Sequence, residues 1–270
     1  MKISAGEINF KYVCTTIFSI LGYMISKKVL SEIVSKYSLG GHVEKVKWVV
    51  DKNDEIAIEF INDSKTLVGQ IYYNSNIGLK QGSYGIFNTS QLIKCLNILD
   101  GDILIETKSS NGLASKLNLA DTNYDIKFSL ADPAVIPKVP QINDSDQPSA
   151  SFEMTDEFIT RFVKSKDALN DLPSFTIETK EGMTGNDLVF TIGTDITNTI
   201  QFSVDELHEV TEEFEQIPFD SNLFKEILKA NRNYESGTVH INKKGLIQLT
   251  FNYNDGFNTH YYLVRLQENN

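Results

Sequence analysis

Residues 131–140 read Ala131-Asp132-Pro133-Ala134-Val135-Ile136-Pro137-Lys138-Val139-Pro140, and with Pro148 this stretch holds four of the six prolines in the 270-residue chain. Proline has no N–H to give to a sheet ladder and breaks a helix interior. The stretch therefore reads as an extended connector, and it lies near the middle of the chain. Outward from it on either side the same order of signals occurs twice: an amphipathic helix, then short strands separated by turn residues.

On the N-terminal side the spacing predicts a helix over Lys27–Tyr37, with Leu30, Ile33, Val34 and Tyr37 on one face. Strand signals follow at Val46–Val50, Glu55–Ile61 and Thr66–Tyr73. A second helix is predicted over Thr89–Leu99. Asn88 is positioned as its N-cap, and Gln91 stands three residues on. Strands are then expected at Ile103–Thr107, Ser115–Leu119 and Tyr124–Leu130, with Asn111-Gly112 as a turn. Beyond the connector, Thr155 caps a predicted helix over Asp156–Leu169, and strands are expected at Ser174–Thr179, Leu188–Ile192 and Thr199–Val204. Asp220 caps the fourth helix, Ser221–Arg232. Strands at Thr238–Ile241, Leu246–Tyr253 and His260–Leu266 close the chain. One helix per group of alternating strands implies an α+β fold with sheets covered on one face by helices. Repetition on this scale predicts pseudo-symmetry.

Charge is segregated by element. The chain has 25 Lys+Arg against 36 Asp+Glu, a net charge of -11. The four helical windows alone carry +5, so the remainder carries -16. A polyanion meeting the helices while the rest of the surface repels it would account for this. The overall acidity argues against a protein that coats nucleic acid, but not against one that encloses it with a basic lining. Cys14 and Cys95 form no CxxC pair and no zinc spacing, as expected for a reduced, cytoplasmic chain. The apolar run Tyr12–Ile25 follows Lys2 and Lys11 like a signal segment, but no small-residue cleavage site comes after it. An added strand or an early start codon is the expected reading.

No catalytic constellation emerges. His208-Glu209 with Glu212 and Glu213 lacks the second histidine of a zinc helix. Asp51-Lys52-Asn53-Asp54-Glu55 lacks the glycine and closing glutamate of a calcium loop. Gly182-Met183-Thr184-Gly185 reads as a hairpin turn, and Asp205–Glu215 as a solvated acidic run.

The order of parts resembles a DNA sliding clamp, in particular the polymerase processivity factor of T-even-type bacteriophages. Met24-Ile25-Ser26-Lys27-Lys28 and the helix after it are similar to the start of that clamp. Phe87–Leu99 resembles its second helix, Ala131–Pro140 its interdomain connector, Thr155–Lys166 its third helix, and Tyr261–Leu266 its closing strand. The resemblance covers Met24 to Gln267, weak residue by residue and strong in the order of elements. It divides the chain into an N-terminal extension (1–23), a first clamp domain (24–130), the connector (131–150) and a second clamp domain (151–270). It implies two similar α+β domains, helices inside and antiparallel sheets outside, and a homotrimeric ring threaded by duplex DNA. The implied partners are a replicative DNA polymerase, a clamp-loader ATPase and late-transcription machinery, with no metal or cofactor and no chemistry of its own. The implied DNA-facing residues are Lys27, Lys28, Lys36, Lys94, Arg161, Lys164, Lys225, Lys229 and Arg232. Val135, Ile136, Val139, Leu263 and Val264 are the candidates for a partner-peptide pocket. Lys166 falls on the apolar side of its helix by period and is set aside. The alternative is a duplicated β-rich viral structural or interaction module, in which those basic residues are ordinary solvated surface.

Overall fold

The computed structural model describes residues 23–110, 112–142, 147–182, 186–194, 196–204 and 208–267. The expectations placed on Met1–Gly22, Asn111, Met183–Gly185 and Asp205–Leu207 lie outside them. In chain order the first half comprises β1 (Tyr23–Ser26), α1 (Lys27–Ser38), β2 (Val46–Val50), β3 (Ile56–Ile61), β4 (Leu67–Tyr73), β5 (Gly82–Ile86), α2 (Thr89–Asn97), β6 (Asp102–Ser110), β7 (Leu113–Ala120) and β8 (Asp125–Ser129). The second half comprises β9 (Ala150–Glu153), α3 (Asp156–Ala168), β10 (Ser174–Glu181), β11 (Asn186–Ile192), β12 (Ile200–Ser203), β13 (His208–Val210), β14 (Ile217–Asp220), α4 (Ser221–Ala230), β15 (Ser236–Asn242), β16 (Leu246–Asn252) and β17 (Phe257–Val264).

Each helix starts where a side chain can replace a missing backbone partner. Asn88 Oδ1 accepts from Gln91 N at 2.8 Å, Thr155 Oγ1 from Phe158 N at 3.1 Å, and Asp220 Oδ1 from both Asn222 N and Leu223 N at 2.9 Å. Ser26 Oγ caps α1 through Lys28 N. α1 stops where Leu39 (φ 47°) and Gly40 (φ 68°) turn left-handed. The fourth helix ends at Ala230, two residues earlier than its periodicity predicts. Asn231 leaves the helical path there and is fully buried.

The strands form three antiparallel sheets: β1-β6-β7-β8, β12-β11-β10-β14, and a nine-stranded sheet β13-β9-β15-β16-β17-β4-β3-β2-β5. The last joins the two halves through β17 and β4, which pair over seven positions from Phe257↔Tyr73 to Leu263↔Leu67. Phe257 stacks on Tyr73 at 4.3 Å between ring centroids. Gly69 in β4 is required here, because a Cβ would stand 2.0 Å from the Phe60 ring, which in turn packs 6.2 Å from Tyr261 of β17.

The helices cover one face of the sheets and touch in a row, α2 on α1, α1 on α4, α4 on α3. Beneath the first half lie Tyr37, Trp48 and Phe60. Beneath the second lies a nest of Phe158, Phe162, Phe175, Phe190 and Phe224, with Phe162–Phe224 at 4.6 Å and Phe175–Phe224 at 4.9 Å. The connector opens by pairing Ala131 with Gly85 of β5, where a Cβ would stand 2.5 Å from the Ala131 carbonyl oxygen. Asp132 then caps a short 3-10 turn, Pro133–Val135, through Ala134 N at 2.8 Å.

Candidate nucleic-acid interface

A helix lying on a sheet buries one stripe, and at 100° per residue the opposite face is fixed by that stripe. In α1 the stripe is Leu30, Ile33, Val34 and Tyr37, and Lys28 lies opposite. In α2 it is Thr89, Leu92 and Leu96, and Lys94 lies opposite. In α3 it is Phe158, Ile159, Phe162, Val163 and Lys166, with Lys164 opposite. In α4 it is Leu223, Phe224, Ile227 and Leu228, with Lys229 opposite. All four lysines are exposed. Each helix of the row therefore directs one ammonium straight away from the sheets. Arg232, exposed and just beyond α4, adds a fifth cation.

The other basic candidates are tied to their own fold. Lys36 is fully buried, which corrects its expected place on the DNA face. Its Nζ lies 3.2 Å from Glu32 Oε1, 3.4 Å from Asn233 Oδ1 and 3.8 Å from the centroid of the Tyr253 ring. α1 is covered on two sides, by the sheet beneath and by the β16–β17 turn beside it, so periodicity against one surface misplaces Lys36. Loss of water lowers its pKa against the opposing pull of Glu32. Lys166 is also buried and donates to the carbonyls of Leu169 and Asn170 at the end of its own helix.

Lys27 is half-buried and donates to the Leu99 carbonyl. Arg161 lies against the edge of β12, donating to Ser203 O and Glu157 Oε1 at 3.0 Å each, with its guanidinium over the Phe202 ring. Lys225 pairs with Asp167, whose carboxyl it holds below its ordinary pKa. Lys229 pairs with Glu226 at 2.9 Å but keeps almost half of its side chain exposed. Lys225, Lys229 and Arg232, all three expected on the DNA face, are thus divided: Lys225 leans onto α3, and Arg232 lies past the helix.

The peptide-pocket candidates also divide. Leu263 and Ile136 are buried, Leu263 completely. Leu263 faces the core opposite Leu67, so it cannot line a surface pocket. Val135 and Val264 are exposed and Val139 is half-buried. Among the described residues no group of three or more His, Cys, Asp or Glu side chains is placed to hold a metal ion, and no helix is long and apolar enough to cross a membrane.

No protein-family model matches this sequence, and no curated protein matches it. Solved structures do match its fold. The structure described as the C-terminal region of FEN-1 bound to A. fulgidus PCNA aligns at a TM-score of 0.69 and 15% identity, covering 92% of this chain and 98% of that one. The crystal structure of proliferating cellular nuclear antigen from Entamoeba histolytica aligns at 0.67 and 15% identity, covering 91% and 98%. The chain has the α+β PCNA-like sliding-clamp fold, with two similar domains.

Proposed function

We propose that this protein is a sliding clamp: three copies close head to tail into a ring, duplex DNA passes through it, and the ring tethers a replicative polymerase. The observation that carries the reading is the one outward lysine on each helix of a single row, in a chain of net charge -11. Lys28, Lys94, Lys164, Lys229 and Arg232 are the proposed phosphate contacts. Ammonium groups on long flexible stems neutralise phosphates without reading bases, which suits a ring that slides. The acidic remainder keeps DNA off the outer surface.

The resemblance to T-even-type phage clamps adds a clamp-loader ATPase and late-transcription machinery as partners, and places the protein in the host cytoplasm. One of the structurally similar proteins is a clamp with the C-terminal region of FEN-1 bound. A short partner segment at Val135, Val139 and Val264 is the corresponding reading here. Three copies of a two-domain chain suit a ring, since each copy then supplies a third of the circle.

The test is topological. Protein loaded on a nicked circular duplex by its cognate loader should remain bound through a gel-filtration column in high salt. It should leave when one restriction cut linearises the DNA. Equal retention on circular and linear DNA would overturn the encircling reading.

A further inference from the structure

The helix row does not offer its cations on equal terms. Ion pairs within it join Arg161 to Glu157, Lys225 to Asp167 and Lys229 to Glu226, all in the second half of the chain. In the first half Glu32 is taken by the buried Lys36, and α2 contains no acid. Among the described residues Lys28 and Lys94 form no ion pair, and both are exposed.

α4 has an acid on each side. At about 100° per residue, Lys225 and Glu226 stand about 40° and about 60° to either side of the outward Lys229. Lys225 leans toward α3 and meets Asp167. Glu226 lies toward α1: a Cβ on Gly40, just past α1, would stand 3.0 Å from Glu226 Oε2, while Glu226 Oε1 accepts from Lys229 Nζ at 2.9 Å. Helix stability does not account for Asp167. It sits in the last turn of α3, where the helix dipole disfavours a negative charge. Its side chain is 55% exposed, yet the hydrogen bond from Lys225, backed by the charges of Lys225, Lys229 and Lys166, holds its carboxyl below the ordinary pKa.

We infer that Asp167 and Glu226 compete with DNA phosphate for the lysines of α4, so that α1 and α2 hold duplex DNA more tightly than α4 does. The inference rests on the sliding-clamp reading above and adds to it which helices do the holding. A phosphate that takes Lys225 or Lys229 must displace a carboxylate, which then faces that phosphate as a like charge. The cation it gains is already neutralised, so the exchange adds little to the electrostatic attraction. At Lys28 and Lys94 no carboxylate has to leave.

Filter binding of the full chain to short duplexes over a salt series compares two lysine pairs in two backgrounds. In the unaltered chain Lys28→Gln/Lys94→Gln should flatten the dependence of log K on log salt by about one unit for each phosphate lost, and Lys225→Gln/Lys229→Gln by less than about half as much. Asp167→Asn with Glu226→Gln keeps shape and removes charge, and none of the four α4-side residues is in the core. That double replacement should tighten binding about ten-fold at low salt, through release of two exposed pairs, and should raise the share of the slope that Lys225 and Lys229 carry to that of Lys28 and Lys94. An equal gain in a chain that also carries Lys225→Gln and Lys229→Gln would reduce the effect to net charge and overturn the inference. Equal loss of slope from the two lysine pairs in the unaltered chain would overturn it too. In either case, retention on circular duplex with release after linearisation leaves the clamp reading standing. No salt-dependent duplex binding by any of these chains, with equal retention on circular and linear DNA, overturns both.

Discussion

Lys36 shows how far one residue's surroundings can overrule its type. An ammonium sealed among Glu32, Asn233 and the Tyr253 ring is held by charge, hydrogen bond and ring quadrupole together. Removing the acid alone leaves the cation buried and unpaired. Glu32→Ala should therefore lower unfolding free energy by about 3 kcal/mol in urea titrations. Lys36→Met, which keeps the stem and drops the charge, should change it by about 1 kcal/mol or less and leave retention on circular DNA unchanged. Three buried phenols set the alkaline limit. Burial raises the pKa values of Tyr37, Tyr253 and Tyr261 above their ordinary 10. Their contribution is complete below pH 10 and is lost as pH rises past it, because the unfolded chain releases those protons first. The lowered pKa of Lys36 works in the opposite direction, so its charge costs less stability as pH approaches 10.5. The raised phenols outweigh Lys36 and Lys166, whose pKa burial also lowers, so the urea midpoint should fall across about pH 9 to 11, and less steeply in Tyr253→Phe.

At the scale of elements, helices were the most legible part. Apolar stripes and the capping residues Asn88, Thr155 and Asp220 mark starts that the structure reproduces. Asp220 holds two N–H groups, so Asp220→Ala should cost about 1 kcal/mol of stability, read from the shift in thermal midpoint. The longer strands followed their alternation, and β2 keeps the predicted Val46–Val50 bounds. The strands that the pattern did not reveal are β5, β9, β13 and β14, all of five residues or fewer, whereas β1 overlaps the end of Tyr12–Ile25, where an added strand is one of the two expected readings. Alternation over so short a run is legible only where turn residues bound it, as they do β2, and β14 contains Pro218, which argues against a strand. Proline is tolerated there because β14 ends its sheet. These strands are specified by the neighbour each one pairs with.

For the whole molecule, the helix row makes a quantitative prediction. If Lys28, Lys94, Lys164 and Lys229 meet phosphates, changing all four to Gln should flatten the dependence of log K on log salt. The expected change is about one unit of slope for each phosphate that is no longer neutralised. Filter binding on short duplexes over a salt series would measure it, and the monomer fold should survive by circular dichroism, because none of the four is buried. A slope unchanged by the four substitutions would return these lysines to ordinary surface. Seven residue pairs and the Lys36–Tyr253 contact lock the two halves of one chain.

The sequence alone determined the duplicated order of helices and strands, the connector, the helix caps and the reversal of charge on the helices. All of these follow from contacts close along the chain: periodicity, capping spacing and the missing N–H of proline. It set Lys166 aside by period, but could not separate the outward lysines from Lys36, Arg161 and Lys225, or place Leu263 inside the core. Those outcomes depend on which surfaces meet a helix or strand from the side, and only the tertiary packing of α1 against the β16–β17 turn, α3 against α4 and β17 against β4 decides that.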